Sequence, residues 1–140
     1  MGVKYFAEDV SIPKIGRRSA SEWIRTVIVS EGKSLGDISF IFCSDDYLLE
    51  VNKKYLQHDF YTDIITFDYV DGSLINGDIF ISKDRVLENA REYSTSFRDE
   101  LNRVLVHGVL HLLGYKDKSK REKALMTEKE DYYLNLLKIS

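Results

Sequence analysis

Two histidines lie four residues apart in the most apolar stretch of the chain. His107 and His111 are the only polar side chains in residues 104–113, V-L-V-H-G-V-L-H-L-L. A helix that is apolar on nearly every face is buried, and residues four apart lie on one face, about 6 Å apart along the axis. A buried imidazole without a partner costs about 1–3 kcal/mol. A metal ion bound by both rings would supply that partner, because Zn–N bonds are about 2.0–2.1 Å long.

A carboxylate follows the second histidine after a glycine. Gly114 is suited to end the helix in the left-handed conformation, and a chain that turns back there brings Asp117 towards the rings. The sequence therefore predicts one divalent metal ion per chain, most simply Zn²⁺, held by His107, His111 and Asp117. A fourth position stays open for water, as in catalytic zinc sites. The alternative for Asp117 is a solvated turn residue among lysines.

The residue after His107 separates this pattern from that of metalloproteases. In H-E-x-x-H the glutamate is the general base, whereas this chain has Gly108. Glycine inside a helix costs about 1 kcal/mol relative to alanine. Gly108 therefore indicates either close packing against the helix or a substrate that approaches the metal, and proteolysis by the ordinary route is disfavoured.

Residues 107–117, H-G-V-L-H-L-L-G-Y-K-D, resemble the pattern H-G-x-L-H-L-x-G-Y-D-H of the YbeY endoribonucleases, the rRNA maturation factors. The residues that match are His107, Gly108, Leu110, His111, Leu112, Gly114 and Tyr115. A second similar block comprises Asn52, Tyr55, Asp59, Thr62, Asp63, Ile64, Thr66, Phe67 and Gly77-Asp78-Ile79. The resemblance covers nearly the whole chain. It implies a small metal-binding α/β domain that cleaves single-stranded RNA in rRNA 3′-end maturation and ribosome quality control, with rRNA and ribosomal particles as partners.

The chain departs from that family at three positions. Asp117 stands where the family usually has a third histidine, and Lys116 where it has aspartate. A carboxylate is an acceptable zinc ligand, and two histidines with one carboxylate also suit iron. Leu56 replaces an arginine that usually follows the aromatic residue of the second block. If that arginine binds phosphate, His58, Lys53 or Lys54 must replace it here. No general base is assigned.

Other residues have both a functional and a structural interpretation. Two basic groups could contact phosphates or simply form solvated helix starts: Lys116, Lys118, Lys120, Arg121 and Lys123, and Arg17, Arg18 and Arg25. Tyr61 and Tyr115 could stack on bases or pack at the rim of the core. Asp63 and Asp78 could orient a metal-bound histidine or be ordinary turn and strand-edge residues.

The elements predicted around these residues follow the order β-α-β-α-β-β-α-α-α, which implies an α/β fold. We expect one domain over residues 1–140, with a mixed sheet of about four strands, about five helices and the metal-binding helix at its centre. Predicted strands are a short extended start near Tyr5 and residues 37–43, 64–70 and 78–82, the last two forming a hairpin. Predicted helices are one capped by Ser19 or Ser21 and ending near Gly32, one capped by Ser44 or Asp45 and reaching Leu56, and residues 83–93, 97–113 and 119–137.

Composition excludes several classes of protein. A chain of 140 residues with 44% hydrophobic and 31% charged residues is neither disordered nor of low complexity. A net charge of -3 excludes a histone-like nucleic-acid binder. The one cysteine, Cys43, excludes an intramolecular disulfide and a cysteine-rich zinc site, and fits a reducing, cytoplasmic setting. We expect a soluble protein with no membrane partner, because no targeting signal is recognisable and no apolar run reaches the roughly 20 residues that a membrane span needs.

The sequence thus predicts a metal-dependent endoribonuclease specific for single strands. Two alternatives stay open. One is a metallohydrolase that acts, like a protease, on another substrate, against which the missing glutamate at position 108 argues. The other is a non-catalytic ribosome-assembly factor whose metal is structural.

Overall fold

Four strands and five helices follow one another in the predicted order. The computed structural model describes residues 2–139. The strands are β1 (Gly2–Ala7), β2 (Ser34–Cys43), β3 (Ile64–Asp68) and β4 (Leu74–Ser82). The helices are α1 (Arg17–Ser30), α2 (Asp45–Leu56), α3 (Lys83–Glu92), α4 (Phe97–Leu112) and α5 (Lys120–Ile139). The predicted small α/β domain with a mixed sheet is confirmed.

The strands lie in the order β1-β2-β4-β3. β2 pairs in parallel with both β1 and β4, whereas β3 pairs antiparallel with β4. The predicted hairpin over residues 64–82 is therefore formed by β3 and β4. Because β1 and β3 are the two edges, the loop that precedes β3 emerges at one side of the sheet.

Two strands begin earlier than predicted, β2 at Ser34 and β4 at Leu74. Asn-Gly is typical of turns, yet Asn76 and Gly77 lie within β4. The Oδ1 atom of Asn76 accepts a hydrogen bond from the backbone N–H of Asp37 at 2.8 Å. This bond crosses an irregularity in the β2–β4 pairing between Leu35 and Ile38. A long-range side-chain contact therefore keeps the Asn-Gly pair in the strand.

Serine side chains cap three helices. The hydroxyls of Ser44, Ser82 and Ser96 accept hydrogen bonds from backbone N–H groups in the first turns of α2, α3 and α4. The prediction that Ser19 or Ser21 caps the first helix is wrong. α1 begins at Arg17 after Gly16, whose carbonyl accepts the bond from the N–H of Ala20.

Helices cover both faces of the sheet. Alternate residues of a strand point to opposite faces, and Phe40 and Ile79 belong to the larger core, into which α1, α4 and α5 pack. On the other face α2 contributes Leu48 and Val51 to a smaller cluster that includes Cys43 and Ile65. α4 is central, as predicted.

Gly108 allows α4 to lie close to the sheet. A Cβ atom built at Gly108 would lie 2.9 Å from Cδ1 of Ile64 and 2.9 Å from Cγ2 of Ile79. These distances are shorter than van der Waals contact, so a larger residue would push the helix away. Of the two interpretations of Gly108, close packing is the one that the structure supports.

No helix within residues 2–139 is both long and apolar enough to cross a membrane.

Candidate metal centre

The structure brings the three predicted ligands together at the end of α4. The Nε2 atoms of His107 and His111 lie 3.0 Å apart. The Oδ2 atom of Asp117 lies 3.3 Å from Nε2 of His107 and 3.4 Å from Nε2 of His111. Among the described residues, these form the one group of three or more His, Cys, Asp or Glu side chains whose donor atoms converge closely enough for a metal ion.

Gly114 turns the chain back towards the histidines. Its φ of +104° lies in a region that favours glycine. The N–H of Gly114 donates to the carbonyl of His111, and the N–H of Tyr115 donates to that of Leu110, both at 3.0 Å. These bonds close the last turn of α4. The predicted helix end is confirmed, and Asp117 returns to the face that carries both rings.

Each imidazole uses its other nitrogen for a second hydrogen bond. Nδ1 of His107 lies 2.6 Å from Oε2 of Glu130, and Nδ1 of His111 lies 3.0 Å from the backbone oxygen of Tyr115. Because a carboxylate and a carbonyl only accept, the ring hydrogen belongs on Nδ1 in both cases. Both Nε2 atoms therefore present lone pairs to each other and to Asp117.

This donor set fits a metal ion. Three electron-rich atoms converge at 3.0–3.4 Å with no hydrogen left between the two rings. Ligand atoms on a tetrahedron with bonds of 2.0–2.1 Å stand about 3.3 Å apart. Burial opposes a positive charge on His107, but its hydrogen bond to Glu130 and the charges of Glu130, Asp117 and Asp63 prevail and raise its pKa. The surroundings thus favour a cation.

Glu130, which sequence reasoning missed, connects the site to α5. It is buried, and its Oε1 atom accepts a hydrogen bond from Nη1 of Arg103 at 2.8 Å. Nη2 of Arg103 binds Oδ1 of Asp131 at 2.7 Å. Arg103 lies one turn before His107 on α4, so the arginine and the histidine hold the two oxygens of one carboxylate. A histidine that faces a carboxylate in this way is typical of metal sites.

Asp63 and Asp78, which were candidates to orient a metal-bound histidine, do not have that position in the structure. Among the described residues, no hydrogen bond joins Asp63 or Asp78 to either imidazole; Glu130 and the carbonyl of Tyr115 take these places. Asp63 is nevertheless close enough for electrostatic interaction. Burial raises its pKa, and the charge of His107 opposes that rise.

Glu31 at the end of α1 holds the segment that carries Asp117. Its carboxylate accepts hydrogen bonds from the hydroxyls of Tyr115 and Tyr133, and Nζ of Lys129 lies 3.3 Å away. Burial would raise the pKa of Glu31, but these donors outweigh it and lower the pKa. Tyr115 therefore packs and hydrogen-bonds inside the protein, which favours the structural interpretation of this residue.

The two basic groups differ in their distance from the site. The group on both sides of Asp117 is exposed throughout: Lys116, Lys118, Lys120, Arg121 and Lys123. Arg17 and Arg18 lie in the first turn of α1, whereas Glu31, which contacts Tyr115, follows its last turn. A helix of 14 residues is about 20 Å long. Arg25, the third member of the second group, lies in the middle of α1. Lys116 and Lys118 of the first group flank Asp117, which adjoins both histidines.

The chain is similar to known proteins over nearly its whole length. A family model described as Endoribonuclease YbeY matches residues 6–138. The chain belongs to the YbeY endoribonuclease family. The Parabacteroides distasonis protein named Endoribonuclease YbeY is 50% identical over 137 residues, which are 98% of this chain and 96% of that protein. Its Bacteroides thetaiotaomicron namesake is 51% identical over 131 residues, 94% of this chain and 96% of that protein.

A solved structure shares the fold. The solution structure of TM1509 from Thermotoga maritima superposes with a TM-score of 0.68 at 27% identity, and the match covers 96% of this chain and 88% of that chain.

Two of the positions that depart from the YbeY pattern have clear places in the structure. Asp117 keeps an oxygen atom within 3.4 Å of both rings, in place of the usual histidine. Leu56, in place of the usual arginine, is exposed at the end of α2.

Proposed function

We propose that this chain is a metal-dependent endoribonuclease specific for single strands, formed by one domain over residues 1–140. The observation that carries the proposal is the convergence of three acceptor atoms at 3.0–3.4 Å beside an exposed basic segment. Membership of the YbeY family supports RNA as the substrate, because the relatives bear the name Endoribonuclease.

The proposed cofactor is one zinc ion per chain, held by His107, His111 and Asp117. When bound, zinc supplies Lewis-acid chemistry towards a phosphoryl oxygen or a water molecule. Two neutral imidazoles and one carboxylate leave a net positive charge on such a centre, which suits an anionic substrate. Iron is the alternative that the same donors admit.

The residues of the chain have separate roles in this proposal. Glu130 accepts the Nδ1 hydrogen of His107 at 2.6 Å and so keeps Nε2 directed at the metal position. The exposed Lys116 and Lys118 flank Asp117 and are placed to bind RNA phosphates. Gly108 faces Ile64 and Ile79 of the sheet, so this position offers no carboxylate for peptide hydrolysis.

We further propose that the RNA belongs to ribosomal particles, with roles in rRNA 3′-end maturation and ribosome quality control in the cytoplasm. The resemblance of residues 107–117 to the family pattern supports this assignment. Cys43 is free and buried, and burial together with nearby acidic charges raises its pKa to about 12. A buried thiol held in its protonated form is unreactive, so Cys43 takes no part in the proposed chemistry.

The test combines RNA cleavage with metal analysis. Zinc-loaded protein should cleave an unstructured RNA oligonucleotide and leave the same sequence intact in a duplex. His107→Ala and His111→Ala should lose both the metal and the cleavage. His58→Ala, at the third histidine of the chain, should keep the metal, because His58 stacks on Phe60 instead of joining the cluster.

Three outcomes would contradict the proposal. Full zinc occupancy in both alanine variants would place the metal elsewhere. Peptide hydrolysis without RNA cleavage under any metal would favour the metallohydrolase. Ribosome association that persists in the absence of any turnover would favour an assembly factor with a structural metal.

A further inference from the structure

Exposed apolar side chains concentrate at the end of α2 and in the loop that joins α2 to β3. All residues from 53 to 61 are exposed. Eleven large apolar side chains are exposed within the described part of the chain, and four of them lie in this segment: Tyr55, Leu56, Phe60 and Tyr61. Isolated exposed apolar residues are normal, but a cluster marks an interaction surface. We call residues 57–62 the aromatic loop.

One buried amide side chain, that of Asn52 on α2, anchors the aromatic loop. Asn52 on α2 is only 2% exposed, and its Nδ2 atom donates to the backbone oxygen of Phe60 at 2.9 Å. The carbonyl of Asn52 accepts a hydrogen bond from the N–H of His58 at 3.1 Å. These bonds fix the backbone on both sides of residue 59, and so hold the backbone from which the Phe60 side chain projects.

The rings of the loop offer flat, open faces. The rings of His58 and Phe60 stack with centroids 5.1 Å apart and planes inclined by 22°. Phe60 is 55% exposed and Tyr61 is 51% exposed. The hydroxyl of Tyr61 donates to Oδ1 of Asp46 at 3.2 Å, which holds that ring by its edge. Aromatic faces presented in this way are suited to stacking on nucleobases.

The loop leads directly to the metal centre. The aromatic loop is followed by Asp63, whose carboxylate interacts electrostatically with His107. The next residue, Ile64, packs against α4 at Gly108, beside His107. Phe60 therefore precedes by three residues a carboxylate that interacts with His107, so a strand with one nucleotide stacked on Phe60 can extend towards the three ligands.

Charge does not explain the segment. Nζ of Lys53 lies 3.5 Å from Glu50 and 3.6 Å from Asp59, and Arg85, whose guanidinium lies over Tyr61, is paired with Asp45 at 2.7 Å. Lys53 and Arg85 are already matched by neighbouring carboxylates, and Nζ of Lys54 lies over the ring of Tyr55. His58 stacks on one side of Phe60 and Arg85 lies over Tyr61, so the exposed part of the Phe60 ring is the surface left for a base. Leu56 likewise stands where the family usually has an arginine.

We infer that the aromatic loop is a base-stacking subsite for single-stranded RNA, with Phe60 as its main platform. This inference rests on the proposed function and adds to it the means by which the chain distinguishes single strands. In a duplex both faces of each base are covered by neighbouring bases, whereas an unpaired base can leave its stack and lie on Phe60.

The test measures binding of a fluorescein-labelled, unstructured adenosine 12-mer to the zinc-loaded protein at several salt concentrations. Phe60→Ala should weaken binding about fivefold or more, the usual effect of losing one stacked base. Phe60→Trp should restore the affinity, whereas Phe60→Leu should not, because leucine is apolar but has no flat face. The slope of log K against log salt should stay unchanged, since stacking releases no counterions.

The matched control is Phe6→Ala on β1, at the opposite edge of the sheet, where Phe6 is 47% exposed. A second control is an oligomer of the same length that lacks bases, to which wild type and Phe60→Ala should bind equally. The inference alone is wrong if wild type binds RNA and Phe60→Ala binds as tightly as Phe6→Ala. Full affinity of Phe60→Leu, or a loss that persists on the oligomer without bases, also contradicts it. If wild type binds no RNA at any salt concentration, the proposed function is wrong as well.

Discussion

At the scale of single residues, the two imidazoles are oriented by the groups that accept hydrogen bonds from their Nδ1 atoms. Nδ1 of His107 is committed to Glu130 and Nδ1 of His111 to the carbonyl of Tyr115. In the neutral ring the tautomer with a free Nε2 is therefore selected by the fold, and metal binding leaves the hydrogen on Nδ1 in place. The raised pKa of His107 has the same cause, because nearby carboxylates stabilise any cation at this point, a proton on Nε2 as well as a metal ion.

We expect the third ligand to tolerate a change of donor but not its removal. Asp117→Ala should lower the affinity for zinc about tenfold or more, at least the effect of losing a residue that merely supports a ligand. Asp117→His should retain most of the affinity, because a ring nitrogen can replace the carboxylate oxygen. Competition with a chromophoric zinc chelator measures both. Asp71→Ala, at an exposed turn aspartate, is the control, and equal affinities in all four proteins would make Asp117 a solvated turn residue.

At the scale of elements, α5 supplies no ligand and yet completes the site. Glu130 lies on α5 and is buried against α4, where it bonds to both His107 and Arg103. The same helix provides Lys129 and Tyr133, which hold Glu31 and through it the segment after α4. The position of α5 therefore controls both the ring of His107 and the approach of Asp117.

Replacement of Glu130 tests this role of α5. Glu130→Gln should lower the affinity for zinc about 10- to 100-fold, as is usual when the partner of a ligating histidine is lost. Asp131→Asn is a close control, since Asp131 binds the same Arg103 but is exposed and does not touch His107. Unchanged zinc affinity in Glu130→Gln, or an equal loss in Asp131→Asn, would show that Glu130 only tethers the helices.

The contact between α4 and the sheet gives a second prediction at this scale. In Gly108→Ala the added Cβ would overlap Ile64 and Ile79, and overpacking of a core costs about 1–3 kcal/mol. The greater helix propensity of alanine than of glycine offsets about 1 kcal/mol of this cost. We expect a net loss of up to about 2 kcal/mol in the free energy of unfolding, measured with urea. Ser19→Ala on the exposed side of α1 should change it by less than about 0.5 kcal/mol, and a Gly108→Ala protein more stable than wild type would refute the close contact.

The sequence allowed prediction of the parts of the site that are close along the chain. His107 and His111 share a helical face, and only residues 113–116 separate this helix from Asp117. Glu130 and Glu31 escaped prediction because they lie 23 and 84 residues from the partners they bind. Their positions depend on how α5 and α1 dock, which helical periodicity does not encode. The element order was predictable because it depends on local patterns. The start of β4 was not, because Asn76 is held by Asp37 of another strand.

At the scale of the whole molecule, the net charge of -3 does not favour RNA binding. Affinity for RNA must therefore come from local groups of residues. The exposed lysines and arginine at positions 116–123 adjoin Asp117, whereas Arg17 and Arg18 lie at the far end of α1. Phosphate contacts near the metal and base stacking on the aromatic loop would then contribute separately to affinity. The two contributions differ in their dependence on salt.

Charge reversal near the metal should flatten this salt dependence. On single strands each phosphate contact contributes about -0.7 to the slope of log K against log salt. The double variant Lys116→Glu, Lys118→Glu should reduce the slope by up to about 1.4 while the zinc content stays unchanged. The double variant Arg17→Glu, Arg18→Glu should leave the slope as it is. An equal effect of both pairs, or salt-independent binding by wild type, would contradict phosphate contacts beside Asp117.

The separation of Glu130 from the ligands also bears on when a newly made chain becomes active. All three ligands fall within residues 107–117, whereas Glu130 follows His107 by 23 residues. In a nascent chain all three ligands are therefore synthesised before Glu130, whose carboxylate aligns His107. Under the proposed function, full affinity for zinc would require that α5 has been synthesised and has docked, because Glu130 aligns His107. Synthesis of α5 would then be the step that completes the metal centre.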